Sequence, residues 1–397
     1  MKKILFTLSI VFAAQLLNAQ KFEDLAKTPP MGWNSWNNFG CDVSEKLIKE
    51  IADAIVSSGM KKAGYEYVII DDCWQSSRDK DGNIIPDPKR FPSGMKNLVD
   101  YVHSLGLKFG IYSDAGTLTC GGRPGSRGYE FQDARTYASW GVDYLKYDWC
   151  STGIQNAESS YQIMRDALFA AGRPVVFSIC EWGNNQPWLW AGKIGHLWRT
   201  SMDVQPCFDC SVNWGGLGVL QIIDKSRELR KYSGPGHWND PDMMEVGNKG
   251  LTESENRAHF TMWAMLSAPL IAGNDLRKMP EKIRTILTNR EVIAIDQDSM
   301  GIQALRWKAL GTLEIWFKPL QNGDMAICFL NRDSEPKEID FDLKDRIMDS
   351  DFGWKNYVID KSFQIKDVWQ NKILGTTVDN LKTKIAAHDV LLLRLSR

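Results

Sequence analysis

Val142-Asp143-Tyr144-Leu145-Lys146-Tyr147-Asp148-Trp149-Cys150 reads as a short strand that carries a lysine and ends in a carboxylate. A charge at its C-terminal tip makes it a poor core strand. It is the ordinary form of a strand in a (β/α)8 barrel, where the chemistry sits on that tip. The same pattern recurs in Ile69-Ile70-Asp71-Asp72, Ile111-Tyr112-Ser113-Asp114, Ile179-Cys180-Glu181-Trp182 and Trp198-Arg199-Thr200-Ser201-Met202-Asp203. A lone Asp is most often a helix cap or a surface charge, but that does not explain acids in register on five strand tips. Such acids, with tryptophans between them, imply a pocket for a sugar, because aromatic faces stack on sugar C–H faces.

Working outward, residues 28–300 parse as alternating strands and helices. Strands are expected at 31–36, 67–74, 108–114, 144–150, 175–182, 196–201, 237–242 and 270–275, with helices at 44–58, 95–106, 131–141, 158–172, 217–233, 253–267 and 281–296. From Ser44, a candidate N-cap, apolar residues recur at three- and four-residue steps. Gly59, Gly106, Gly141 and Gly172 fall where helices should stop. Eight strands, most followed by a helix, close into a barrel. An open doubly wound sheet would have fewer repeats, and no Gly-x-Gly-x-x-Gly loop follows the first strand. Past residue 301 the runs at 304–307, 313–318, 326–330, 337–341, 357–360, 363–367 and 390–393 are short, several alternate, and turns such as Asn322-Gly323 separate them. The expected fold class is α/β: a (β/α)8 barrel over 20–300, then a C-terminal antiparallel β-sandwich over 301–397. The sandwich is expected to be structural, with sugar binding as its alternative role.

Net charge is −1 with no basic run, so nucleic acid is not an expected partner. The sixteen tryptophans are many for this length. Core filling accounts for some, but Trp33, Trp36, Trp74, Trp149, Trp182 and Trp238 sit beside Gly, Asn or Asp in loops. Residues 1–19 read as a signal peptide: Lys2 and Lys3, an apolar stretch to Leu17, then Asn18-Ala19. That stretch is too short for a membrane span, and none is expected later in the chain. Export to a periplasm or to the outside is therefore expected, and it permits disulfides among the eight cysteines. Cys207-Phe-Asp-Cys210 reads as a local disulfide bracing a loop, since neither a thioredoxin pattern nor a second zinc-type pair accompanies it.

Glycoside hydrolysis needs two carboxylates flanking the scissile bond, roughly 5 Å apart when configuration is retained. Asp148 as nucleophile and Asp203 as acid/base suit those roles, although the residues by themselves do not single out this pair among so many acids. Lys146, two residues before Asp148, shares its face of the strand, and its ammonium is expected to hold Asp148 ionised. Asp203 is expected to be pushed toward acid duty by the pocket's negative field. Arg199 is placed to hold a hydroxyl or to orient Asp203.

The chain resembles glycoside hydrolase family 27, the α-galactosidases of clan D. The resemblance rests on Thr28-Pro-Pro-Met-Gly-Trp-Asn-Ser-Trp, Tyr65-Glu-Tyr-Val-Ile-Ile-Asp-Asp-Cys-Trp, Gly106-Leu-Lys-Phe-Gly-Ile-Tyr-Ser-Asp, Gly141-Val-Asp-Tyr-Leu-Lys-Tyr-Asp, Cys180-Glu-Trp-Gly, Trp198-Arg-Thr-Ser-Met-Asp, Gly236-His-Trp-Asn-Asp-Pro-Asp-Met and Ala268-Pro-Leu. These follow the family order across the whole barrel. The resemblance implies a retaining exo-α-galactosidase acting on oligosaccharides or galactomannan. In it Asp148 is the nucleophile and Asp203 the acid/base, and Asp71 and Asp72 grip the galactose O4 and O6. Trp33, Tyr112, Lys146, Glu181, Arg199 and Asp242 are implied as further pocket residues, and Cys41–Cys73 and Cys120–Cys150 as disulfides. Neither a metal nor an organic cofactor is implied. A metal at Asp71-Asp72 or at Asp240 and Asp242 is the rival reading, against which no His completes a ligand pattern.

The chain departs from the family pattern in two places. His237 stands where the family often has Gly, as a pocket neighbour or as a packed or surface residue. The stretch Gln205-Pro-Cys-Phe-Asp-Cys-Ser-Val-Asn-Trp-Gly-Gly differs from common members and is expected to rim the aglycone side. Cys180-Glu-Trp-Gly is of the galactose type, not the small-residue type that admits an acetamide. The alternatives are a β-L-arabinopyranosidase or α-N-acetylgalactosaminidase on the same scaffold, and a non-catalytic sugar-binding barrel. The first should lack a hydroxymethyl grip, the last should tolerate loss of Asp148 or Asp203, and this chain keeps all four acids.

Overall fold

The computed structural model describes residues 21–397, so the expected signal peptide lies outside the described residues. Eight parallel strands form one curled sheet: β1 Met31–Asn34, β2 Tyr67–Ile69, β3 Lys108–Asp114, β4 Tyr144–Asp148, β5 Val176–Ile179, β6 Leu197–Arg199, β7 Trp238–Asp240 and β8 Leu270–Ala272, in the order β8-β1-β2-β3-β4-β5-β6-β7. No ladder joins β7 to β8. The chain just past β7 bridges them, with Met244 N–H donating to Ile271 O at 2.7 Å and Gly273 N–H to Met244 O at 3.1 Å. Asp114 and Asp148 are the last residues of β3 and β4, but the other strands stop short of the acids expected on them. Asp71, Asp72, Glu181 and Asp203 lie in the loops beyond, as the C-terminal face of a barrel requires.

The outer helices are α1 Glu45–Ser57, α2 Met95–Ser104, α3 Glu130–Trp140, α4 Ala157–Ala170, α5 Val219–Ser226, α6 Glu253–Met265, α7 Glu281–Leu287 and α8 Arg290–Asp296. Ser44 caps α1 by accepting from Leu47 N–H, and Gly141 ends α3 at φ 91°, a left-handed position that needs no Cβ there. Two expected helices are divided. The 217–233 segment continues past α5 as the 3-10 turn Arg227–Tyr232, and 281–296 breaks at Asn289, whose side chain caps α8. A hairpin, Gln75–Arg78 with Ile84–Pro86, interrupts the β2–α2 connection.

The C-terminal part has ten strands: β9 Leu305–Leu310, β10 Leu313–Pro319, β11 Met325–Asn331, β12 Lys337–Phe341, β13 Asp345–Asp349, β14 Lys355–Ile359, β15 Gln364–Asp367, β16 Lys372–Thr376, β17 Leu381–Ile385 and β18 Val390–Ser396. Six form one antiparallel sheet, and β12–β17 and β13–β14 pair separately. The middle strands are buried on both faces. Ile315, Phe317, Ile327, Phe329, Leu393 and Leu395 fill the sandwich interior, while the alternate Trp316, Ala326, Cys328, Leu330 and Leu392 join the barrel core. Buried polar contacts fix the same junction: Arg230 pairs with Asp349 at 2.8 Å, and Lys318 Nζ donates to Ala264 O and Ser267 Oγ, each at 2.8 Å.

Cys41–Cys73, Cys120–Cys150 and Cys207–Cys210 are disulfides, and Cys180 and Cys328 are buried thiols. The first two close loops of 32 and 30 residues. Chain-entropy reasoning assigns each about 3–4 kcal/mol. Replacing Cys41 and Cys73 together by serine is expected to lower the denaturant midpoint and to steepen the slope, because the freed chain unfolds to a more open state. Unfolding curves that superimpose would show that this crosslink does not restrain the unfolded chain.

Candidate active site

The tips of β2, β3, β4 and β6 and the loop after β7 surround a cavity of about 210 Å³. Six of its lining residues are carboxylates: Asp71, Asp72, Asp148, Asp203, Asp242 and Glu245. The β3–β4 ladder sets part of the geometry. Tyr112 lies opposite Lys146 and Asp114 opposite Asp148, so the lysine and the strand-end acid face the same side two residues apart. Backbone in the left-handed region is concentrated here, at Cys73 (φ 74°), Ser151 (φ 50°), Trp182 (φ 57°) and Asp242 (φ 91°). Gly116 allows the β3 and β4 exit loops to touch, since a Cβ there would lie 2.0 Å from Cys150 O.

The carboxylates differ in what occupies their oxygens. Asp71 accepts from Asp72 N–H (2.9 Å) on Oδ1, and from Asn34 Nδ2 (2.7 Å) and Lys146 Nζ (2.8 Å) on Oδ2. Asp72 accepts from Cys73 N–H and Gly121 N–H, both at 2.6 Å. Asp242 accepts from Met243 N–H on Oδ1, and from Val204 N–H and Arg199 on Oδ2. Glu245 accepts from Asn37 and Asn248. Asp148 accepts only Trp149 N–H (2.9 Å) on Oδ1, and Asp203 only Arg199 Nη2 (3.0 Å) on Oδ1. Among the described residues these two alone, of the six, keep an oxygen with no hydrogen-bond partner.

Lys146 favours the ionised form of Asp148 as expected, but its hydrogen bond goes to Asp71. Asp148 is pushed up to about 6, first by burial, with Asp203 and Asp71 adding repulsion and Lys146 opposing them. The strand-mate ammonium is thus outweighed by desolvation. Burial also raises Asp242 to about 7, against the pull of Arg199, and Glu181 to about 7. Asp203 is the most open of the group, its side chain 36 % exposed, and it faces the Arg199 guanidinium as well as carboxylates. Asp114, beneath, is raised to about 9 by burial and by Asp148. Its oxygens accept Gly116 and Cys150 N–H, which ties the two exit loops together.

Residues 28–298 match the family model described as alpha galactosidase A, and residues 310–395 match the alpha galactosidase C-terminal beta sandwich domain. The chain belongs to the α-galactosidases of glycoside hydrolase family 27. It is 57 % identical over 402 residues to alpha-galactosidase A of Cellvibrio japonicus, covering 100 % of this chain and 99 % of that one. Alpha-galactosidase I of Mortierella vinacea superposes with TM-score 0.87 at 40 % identity, covering 94 % and 98 % of the two chains. The Saccharomyces cerevisiae α-galactosidase with raffinose superposes at 0.86 with 34 % identity, covering 95 % and 99 %. The chain is accordingly a glycoside hydrolase with α-galactosidase activity.

In this α-galactosidase, seven of the residues singled out in the sequence line the cavity: Asp71, Asp72, Tyr112, Lys146, Asp148, Asp203 and Asp242. Three do not. Trp33 is fully buried, with its indole N–H donated to Asn274 O at 2.8 Å. Arg199 lies behind the wall, binding Asp203 and Asp242 at 3.0 Å each. Glu181 is buried, its Oε2 held by Asn185. Asn37 and Glu245 line the cavity unforeseen, the only signal for Glu245 being an acid three residues past Asp242, while Trp214 comes from the Gln205–Gly216 stretch expected at the rim. Of the loop tryptophans, Trp36 and Trp182 reach the cavity, whereas Trp74 and Trp238 are packed with their N–H groups on Tyr112 O and Ala26 O. His237 takes the packed alternative, stacked on Trp198. A metal at Asp71 would have to displace the ammonium and amide already on its Oδ2. Asp114, Cys120 and Cys150 also cluster, but the two sulfurs are bonded to each other.

A larger cavity, about 420 Å³, lies between α6, α7 and the sandwich. Its wall contains the ion pairs Lys282 with Glu253 and Arg257 with Asp389.

Proposed function

We propose that the protein is an exported, exo-acting, retaining α-galactosidase that removes terminal α-linked D-galactose from oligosaccharides or galactomannan-type polysaccharides. The observation that carries this reading is that Asp148 and Asp203, alone among the cavity carboxylates of the described residues, keep an unpartnered oxygen. A nucleophile and a proton donor each need one, whereas a carboxylate that only grips or braces does not. In the first step Asp148 attacks the anomeric carbon while Asp203 gives its proton to the glycosidic oxygen, and the aglycone leaves. In the second, Asp203 takes a proton from water, and that water displaces Asp148, freeing galactose in the α configuration. Asp71 and Asp72, held rigid by their own hydrogen bonds, accept from the galactose O4 and O6 hydroxyls. Tyr112, Lys146 and Asp242 complete the wall around the ring, Trp33 supports its floor, and Glu181 and Arg199 hold the wall from behind, Arg199 orienting Asp203. A small chamber suits one terminal ring more than a passing polymer. Three disulfides suit an oxidising compartment, consistent with export.

Hydrolysis of p-nitrophenyl α-galactoside, β-L-arabinopyranoside and α-N-acetylgalactosaminide tests the sugar. The galactoside is expected to be cleaved with the highest kcat/KM, and either rival sugar leading would sink this reading. The acid limb of kcat/KM gives a second prediction. Asp148 must be ionised to attack, and its raised value means it loses its charge as pH falls through about 6. An apparent pKa near 6, belonging to the coupled carboxylates together, is expected in the free enzyme. Lys146→Met removes the largest opposing charge and should move that limb toward neutrality; an unmoved or lowered limb would contradict it.

A further inference from the structure

From the loop after β6 we infer that Trp214 is the stacking platform for the leaving-group sugar, held at the cavity mouth by the Cys207–Cys210 disulfide. This rests on the exo-galactosidase reading above and specifies where the second sugar goes. Trp214 is 57 % exposed yet lines the same cavity as Asp148 and Asp203. A large aromatic ring left open to solvent at a sugar site is an apolar face without a partner. Its place in the chain sets which side it serves. The acid must reach the glycosidic oxygen, so residues joined to Asp203 at the mouth face the departing sugar. The Trp214 turn is joined there directly: Leu217 N–H donates to Asp203 O at 2.9 Å, and Gln205 N–H donates to Leu217 O at 2.8 Å.

The turn is also rigid. Val212 N–H donates to Gly216 O and Gly215 N–H to Val212 O, each at 2.9 Å. Gly216 gives the indole its room, because a Cβ there would lie 2.7 Å from the ring. Below it, Cys210 O, Cys207 O and Phe208 O accept from the N–H groups of Gly218, Val219 and Leu220 where α5 begins. The disulfide closes this short segment on itself and so fixes the turn against the helix. A platform fixed in advance loses little side-chain freedom when a sugar lands on it.

The experiment compares raffinose, whose leaving group is a disaccharide, with α-galactosyl fluoride, which has no leaving sugar. Aryl galactosides are avoided because their ring would also stack. For Trp214→Ala, the loss of kcat/KM on raffinose is expected to exceed the loss on the fluoride by about ten- to fiftyfold. Trp214→Tyr should restore most of it, which separates stacking from folding. Replacing Cys207 and Cys210 together by serine should weaken raffinose cleavage selectively, and should add nothing in the Trp214→Ala background. Equal losses on both substrates, or no loss on raffinose, would overturn the inference and leave the functional reading standing. An unmodified enzyme inactive on both substrates would overturn that reading and this inference with it.

Discussion

Asp148→Ala is expected to lower kcat/KM on p-nitrophenyl α-galactoside by about 10⁴- to 10⁶-fold while leaving the thermal unfolding transition in place. The size follows from the covalent step: without the carboxylate no glycosyl ester forms, and the remaining cavity can only bind and polarise. Asp148 makes a single hydrogen bond, from Trp149 N–H, so its removal breaks little of the scaffold. Asp114 still ties the β3 and β4 exits through Gly116 and Cys150 N–H. Azide supplies the decisive test. In the alanine variant it can enter where the carboxylate stood, attack the anomeric carbon and expel p-nitrophenolate. The expected product is β-galactosyl azide, inverted relative to the substrate. An unimpaired variant, or one that yields only the α-azide, would remove Asp148 from the proposed role.

Asp203→Ala is expected to act by leaving group. With raffinose, whose departing alkoxide needs a proton, kcat/KM should fall by about 10²- to 10⁴-fold. With α-galactosyl fluoride or a dinitrophenyl galactoside, which leave without protonation, the first step should be nearly intact and breakdown of the glycosyl ester should become limiting. A burst of leaving group is then expected. Azide should accelerate turnover and give the α-azide, because it intercepts the ester on Asp148 and inverts a second time. A loss independent of leaving group would mean that Asp203 serves the wall through Arg199 instead of donating the proton. The two variants thus predict azides of opposite configuration, a contrast that a merely structural role for either residue would not produce.

The barrel strands were legible because five of the eight join an apolar run to an acidic tip and helical spacing separates most of them. Asp114 and Asp148 form the last ladder pair of β3 and β4, whereas Asp71, Asp72, Glu181 and Asp203 fall past the ends of their strands. The sandwich was less legible. Asp345–Asp349, Lys372–Thr376 and Leu381–Ile385 were not anticipated as strands. Lys372–Thr376 is exposed along its whole length, and the other two carry few apolar residues, so no strong alternation marks them. The break at Asn289 was hidden for a different reason. The apolar spacing runs on through it, and only the side-chain cap on Glu291 and Val292 N–H shows that a new helix begins.

What the sequence determined by itself is the barrel with a β-rich tail, and the set of acids from which the chemistry is drawn. Both rest on local patterns: periodicity, strand ends and family motifs. What only the tertiary structure decided is how those acids divide their work. Lys146 shares a strand face with Asp148, yet its hydrogen bond goes to Asp71 beyond the tip of β2, two strands away, because reach across the barrel mouth outranks proximity along the chain. Four lining carboxylates have both oxygens occupied by groups remote from them in sequence or by the turn amides of their own loops. Asp148 and Asp203 keep one oxygen free among the described residues. Hydrogen-bond saturation is a property of the assembled pocket, set by which loops meet, and no spacing in the chain encodes it.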